Sequence, residues 1–152
     1  MSMRSEPRGQ AAMEFLMTYG WAILVVLVAI AALAYFGVLN PQRFLPETCT
    51  VGPGISCDDF KVGTGGDATI VLRNGMGVEL DTVTLSIGAV AGTCTPNTNW
   101  GAGNQMSCAW AAGALATGSA GSRFSADIVL GYTQQGSAVS HQKTGTLTTK
   151  YE

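Results

Sequence analysis

Residues 15–39 read FLMTYGWAILVVLVAIAALAYFGVL, an uncharged segment of 25 residues between a short polar N-terminus and a glycine-rich remainder. As an α-helix, these 25 residues extend about 37 Å, which exceeds the ~30 Å hydrocarbon core of a bilayer. The segment is apolar on every face, and such a helix is stable only when lipid or other helices surround it. Residues 15–39 therefore belong in a membrane, inside a protein assembly, or in a signal peptide that is removed.

The composition of the 152-residue chain excludes some classes of function. Charged residues make up 12% of the chain, and its formal net charge is −2. Eight lysines and arginines are too few to form the basic stripe that releases counterions from a phosphate backbone. We therefore expect no nucleic acid among the partners, and the length allows one domain of ordinary size.

Charges around the apolar segment predict its orientation. Arg4 and Arg8 precede it, whereas Arg43 follows it, and positive charge before a membrane helix favours a cytoplasmic N-terminus. A cleavable secretory signal is an alternative, because residues 32–34 (ALA) have the small-x-small form that signal peptidase cuts. Two features oppose it: the uncharged run before that site has 20 residues instead of the usual ~7–15, and Glu14 lies at its start.

Residues 8–15, RGQAAMEF, form a motif at the start of the apolar segment. A basic residue, a glycine and then Gln-x-Ser/Ala-x-Glu-Phe before a long apolar helix resemble the processing motif of archaeal type IV pilins with class III signal peptides. The resemblance implies that a membrane prepilin peptidase cuts between Gly9 and Gln10 at the cytoplasmic face. The processing and assembly motif then consists of Gln10, Ala12, Glu14 and Phe15. Ala12 departs from the serine that the family often has there.

The same resemblance implies the organisation of the whole chain. A leader peptide occupies residues 1–9, a membrane and filament-core helix residues 10–40, a linker residues 41–47, and an extracellular head residues 48–152. The subunit is embedded in the cell membrane before it polymerises with identical copies into a cell-surface filament for adhesion. The prepilin peptidase and the pilus assembly machinery are its further partners. Two alternatives remain open: a membrane-tethered binding protein that does not polymerise, and a secreted β-domain released by signal peptidase.

The residues of the apolar segment also predict how the helix packs and where it ends. Small side chains let the backbones of neighbouring helices approach closely, and they occur at Gly20, Ala22, Ala29 and Ala32. A residue before proline is driven out of the helical region, so we predict that the helix ends at Asn40-Pro41.

Residues 48–152 predict β-structure, because apolar and polar residues alternate in several short runs. The clearest runs are residues 82–87, 123–132 and 146–151, and Phe60 with Val62 indicates an earlier strand. The run 69–73 ends at Asn74-Gly75, a strong hairpin signal, and residues 133–137 are predicted to join the last two strands. The whole chain is therefore predicted as an α+β fold, with a long hydrophobic helix followed by an immunoglobulin-like β-sandwich head.

Four cysteines, Cys49, Cys57, Cys94 and Cys108, follow the apolar segment. An even number of cysteines beside an export signal favours disulfides. A zinc site is the competing interpretation, but the sequence contains no closely spaced cysteine pair and only His141 to complete such a site. Three connectivities are possible, and local contact favours pairing neighbours in sequence.

The remaining polar residues give no catalytic constellation. His141 is the only histidine, and residues 63–66 (GTGG) lack the lysine and the spacing of a phosphate loop. Asp58 with Asp59, and Glu79 with Asp81, lack the spacing of a calcium loop and are interpreted as solvated turn residues. We therefore predict no catalytic residue, no metal, no cofactor and no enzymatic activity.

The segment from Thr95 to Ser107 lies between two cysteines and contains Trp100. One hypothesis is that a disulfide-bonded loop exposes Trp100 for contact with a surface or a neighbouring head, because tryptophan is a common interface anchor. The alternative is that Trp100 folds back with Trp110 and fills the edge of the sandwich.

Overall fold

The computed structural model describes residues 8–37 and 46–152, and the chain divides into two compact units between Leu45 and Pro46. Residues 1–7 of the predicted leader lie outside the described residues. The same is true of the predicted helix end at Asn40-Pro41 and of residues 41–45 in the predicted linker.

Residues 8–37, the described part of the first unit, contain one α-helix, α1, at Arg8–Tyr35. Within the described residues the helix ends at Tyr35, ahead of the end that the sequence predicts at Asn40-Pro41. Gly37 has a φ of 71°, and its N–H donates to the Ala34 carbonyl at 3.1 Å. A glycine in the left-handed region is a common helix C-cap, so Gly37 accounts for the end of α1.

Every large apolar side chain of α1 is exposed within the single chain, from 46% for Leu33 to 88% for Tyr35. The helix is long and apolar enough to cross a membrane from Gly9 to Tyr35. Since exposed apolar surface of this extent is unfavourable in water, α1 requires a lipid or protein environment.

The second unit is built from nine strands in two antiparallel sheets. Their bounds are β1 Thr48–Thr50, β2 Ile55–Val62, β3 Ala68–Asn74, β4 Leu80–Ile87, β5 Val90–Ala91, β6 Thr93–Thr95, β7 Gln105–Trp110, β8 Arg123–Gln134 and β9 Ser140–Lys150. The five-stranded sheet has the order β1-β9-β8-β4-β5, and the four-stranded sheet has the order β2-β3-β7-β6.

The strand order confirms the immunoglobulin-like prediction. When β2 to β9 are matched to strands A, B, C, C′, D, E, F and G, the four-stranded sheet is A-B-E-D. The other sheet is then G-F-C-C′, with β1 added beside G. Val62 at the end of β2 also forms a parallel bridge with Tyr151 just after β9, which ties the two sheets together at one edge.

The core lies between the sheets, and the alternation of apolar residues predicts much of it correctly. Val83, Leu85 and Ile87 of β4 are buried, as are Ile128 and Leu130 of β8. The four-stranded sheet contributes Ile70, Leu72, Met106 and Cys108 to the same core. Burial of each large side chain of this kind contributes about 1.5–3 kcal/mol to stability.

The hairpin predicted at Asn74-Gly75 is wrong, because β3 and β4 belong to different sheets. Asn74 is fully buried, and its Nδ2 donates to the carbonyls of Val78 and Trp100 at 2.8 Å each. Its Oδ1 accepts from the N–H of Met76 at 3.0 Å. Asn74 therefore forms the hydrogen bonds of backbone groups where the chain crosses from one sheet to the other. The dipeptide Asn-Gly alone does not show whether the asparagine has this role or forms a hairpin turn. The final hairpin occurs, but its loop is residues 135–139.

Candidate functional site

The predicted processing motif lies in the first turns of α1. Gly9 and Gln10 are already helical, so the predicted cleavage site is within the first turn of the helix in this uncleaved chain. Ala12, Glu14 and Phe15 follow on the same helix, and all three are exposed.

Glu14 and Gln10 are four residues apart and therefore share one face of α1. Both line a shallow depression with Met13, Met17 and Thr18. The Thr18 hydroxyl donates to the backbone carbonyl of Glu14 at 2.9 Å. Among residues 8–37 and 46–152, no side chain donates a hydrogen bond to the Glu14 carboxylate. The sequence of α1 contains no lysine or arginine after Arg8, so the helix supplies no side-chain cation on its membrane-length segment.

A second, apolar depression follows along α1 and has a volume of about 480 Å³. Phe15 and Tyr19 form its first part, with their ring centroids 4.9 Å apart. Ala22 lies between larger side chains, which include Ile23 and Val26. A small residue flanked by large ones is the surface into which a side chain of a second helix packs.

The disulfides follow the pairing of sequence neighbours. Cys49 bonds Cys57 with an S–S distance of 2.03 Å, and Cys94 bonds Cys108 with an S–S distance of 2.00 Å. The first bond joins β1 of one sheet to β2 of the other, and the second joins directly paired residues of β6 and β7. The bridges are therefore structural elements of the head.

The contact-loop hypothesis for Trp100 is wrong for this chain, because the side chain is 0% exposed. Its Nε1 donates to the Asn104 carbonyl at 2.9 Å, and its backbone forms a bridge with Leu80. Trp110 is also buried, and its Nε1 donates to the Val90 carbonyl at 3.0 Å. Large apolar area favours burial when the indole N–H has an acceptor, so Trp100 anchors the loop from inside.

Asp58 is the centre of a polar cluster that the sequence does not reveal. Its carboxylate accepts from Gln105 Nε2 at 2.7 Å, from Arg73 Nε at 2.8 Å and from the Ser56 hydroxyl at 3.1 Å. The hydrogen bond from Gln105, followed by that from Arg73, lowers the pKa of Asp58 below its usual value. Arg73 also donates to the Gly103 carbonyl at 3.0 Å and so ties β2 and β3 to the loop before β7. Since Gln105 is 47 residues from Asp58 in sequence, spacing could not predict this contact.

The other polar residues considered in the sequence occupy separate places. The His141 ring stacks on Tyr132, its cross-strand partner, at a centroid distance of 5.5 Å. Asp81 accepts from the N–H of Asn99 at 2.8 Å, and residues 63–66 form a turn between β2 and β3. Across residues 8–37 and 46–152, no three His, Cys, Asp or Glu side chains are grouped so that they could hold a metal ion.

Comparisons of the chain with known protein families, with curated proteins and with solved structures found no match.

Proposed function

We propose that the protein is a pilin-like subunit that polymerises through its N-terminal helix into an archaeal type IV filament, with surface adhesion as its purpose. The observation that carries the proposal is the order of residues 8–15, which ends in Glu14 and Phe15 at the entrance to a long apolar helix. An ordinary membrane anchor needs neither the glycine nor the carboxylate at these positions.

The exposed surface of α1 supports the proposal. Cleavage after Gly9 removes the leader and leaves an apolar helix that is still attached to the head. This helix suits both a bilayer and a bundle of identical helices, because both environments cover apolar side chains on every face. The Phe15–Tyr19 pair and the depression at Ala22 offer such a bundle a surface of interlocking large and small side chains.

Glu14 has a specific role in this mechanism. A carboxylate that enters an apolar bundle without a partner costs several kcal/mol. Cleavage creates a positively charged amine at Gln10, and this is the nearest cation available to Glu14. Pairing between the Glu14 of one subunit and the amine of another would set the axial register of the incoming subunit.

Mass spectrometry of the mature protein tests the proposal against its alternatives. A chain that begins at Gln10 supports the pilin-like subunit. A chain that begins at Met1 or Ser2 indicates a membrane-tethered binding protein, and one that begins at Tyr35 indicates a secreted domain. Either of the last two results contradicts the proposal.

A further inference from the structure

The outer face of the five-stranded sheet carries a polar groove, whereas the Asp58 cluster lies on the four-stranded sheet. Its volume is about 550 Å³, which falls in the range of small-ligand sites. It lies where β4, β8 and β9 run side by side, with Thr84 opposite Gly131 and Gly131 opposite Gln142. The next row pairs Thr133 with Ser140.

Gly131 forms the floor of the groove. A Cβ at this position would lie 2.7 Å from the Thr84 hydroxyl oxygen, so a side chain here would crowd Thr84 on β4. The neighbouring residues of β8 on the core side, Leu130 and Tyr132, are buried. The glycine therefore opens the outer face without weakening the core.

The wall of the groove on β4 has an unusual backbone. The pairing of β4 with β8 shifts between Asp81 and Thr84, and Thr82 within this bulge has a φ of 50°. A β-branched residue in the left-handed region is a genuine outlier, and such residues cluster at functional sites. The bulge places Thr82 at the rim, beside Thr84.

The lining is rich in groups that both donate and accept hydrogen bonds. Thr133 donates to the Asp81 carbonyl at 3.0 Å, whereas the side chains of Thr84, Ser140 and Gln142 make no hydrogen bond to residues 8–37 or 46–152. Hydroxyl and amide groups suit a partner that also donates and accepts. Within the described chain, no Asp, Glu, Lys or Arg lines the groove, and the stacked rings of Tyr132 and His141 complete its lining.

We infer that this groove binds a neutral saccharide unit, with Thr84, Ser140 and Gln142 as its hydrogen-bonding groups. Neutral sugars combine donors and acceptors on every hydroxyl and carry no charge. The inference rests on the proposed role in surface adhesion. The uncharged hydrogen-bonding groups of the groove favour a polysaccharide surface as the target of that adhesion. Binding by a single subunit does not require polymerisation, so its failure is distinct from failure of filament formation.

The test uses the full chain in phosphatidylcholine nanodiscs, because sugar-headed detergents would compete for the groove. Fluorescently labelled tetrasaccharides of glucose, galactose and mannose are the probes, and tetragalacturonate is their anionic counterpart. We expect at least one neutral probe to bind with a Kd below about 1 mM. Gln142→Ala and Thr84→Val should each weaken that binding about tenfold, since each removes a hydrogen-bonding group.

Thr69→Val is the matched control, because Thr69 is exposed on β3 of the other sheet. It should bind like the parent protein. Valine favours strands, so the Thr84→Val protein should keep the melting temperature of the parent. If it does not, Gln142→Ala provides a second variant at an exposed residue. The inference is overturned if no neutral probe binds, if tetragalacturonate binds more tightly, or if Gln142→Ala binds as the parent does.

Discussion

Glu14 is the only charged side chain between Gln10 and Leu39, and its partner determines how the proposed filament forms. We expect Glu14→Gln to leave cleavage after Gly9 intact and to abolish filaments, because glutamine cannot form an ion pair with the new N-terminal amine. The measurement combines the mass of the mature chain with a count of surface filaments by electron microscopy. Filaments at normal yield, or a native Gln10 cyclised to uncharged pyroglutamate, would rule out the ion-pair mechanism.

Asp58 gives the head a pH-dependent contribution to its stability. Hydrogen bonds from Gln105 and Arg73 hold its folded pKa below the ordinary value of 3.8. This contribution is fully present above the unfolded pKa and is lost as the pH falls through the folded pKa. We therefore expect Asp58→Asn to lower the melting temperature at pH 7. Below about pH 4, the melting temperature of this variant should decrease less with falling pH than that of the parent protein.

Asp127→Asn is the matched control for Asp58, because Asp127 is exposed on the opposite sheet. It should leave the melting temperature at pH 7 unchanged. An Asp58→Asn variant whose melting temperature follows that of the parent protein at every pH would show that the cluster contributes nothing to stability.

We expect Trp100 to stabilise the folded head and not to contact a surface or a neighbouring head. Trp100→Ala should destabilise the head by about 3–5 kcal/mol, because it leaves a cavity under the loop and removes the bond to the Asn104 carbonyl. The exposed Asn97 of the same loop provides the comparison, and Asn97→Ala should leave the unfolding free energy unchanged. Chemical denaturation measures both variants, and a cost below about 1 kcal/mol for Trp100→Ala would contradict the assigned role.

At the scale of elements, the two disulfides restrain different parts of the sandwich. Their sequence separations of 8 and 14 correspond to closed loops of 9 and 15 residues, counting both cysteines, for which loop entropy predicts about 2.6 and 3 kcal/mol of stabilisation. Replacing Cys49 and Cys57 together with alanine should therefore cost about as much as replacing Cys94 and Cys108 together. Urea unfolding of the two double variants tests this, and a negligible loss for either pair would show that its bridge does not stabilise the head.

Helices and strands with a regular hydrophobic pattern can be predicted from the sequence, but the residues at which they end cannot. The alternation in β4 and β8 identifies the buried residues because burial on one side of a strand has a period of two. The sequence misplaces the end of α1 because Gly37 and Asn40-Pro41 both favour termination of a helix, and only the positive φ of Gly37 shows that this residue caps α1. Asn74-Gly75 misleads for a similar reason, since the partner of the asparagine side chain, Trp100, is distant in sequence.

At the scale of the whole molecule, the candidate sites differ in how far local sequence predicts them. The motif at Gly9 to Phe15 is contiguous, so its order can be read directly along the chain. The groove around Gly131 combines residues of β4, β8 and β9, and the Asp58 cluster combines residues of β2, β3 and β7. Only the strand order of the two sheets brings those residues together, and no local pattern encodes that order.

Polymerisation through α1 is the central claim, and helical reconstruction of surface filaments by electron cryo-microscopy tests it most directly. The filaments would be sheared from cells and imaged without further treatment. We predict a core of packed helices in which each copy of α1 begins at Gln10, surrounded by two-sheet heads. Filaments whose core contains no α1, or surface filaments that lack this chain altogether, would contradict the claim.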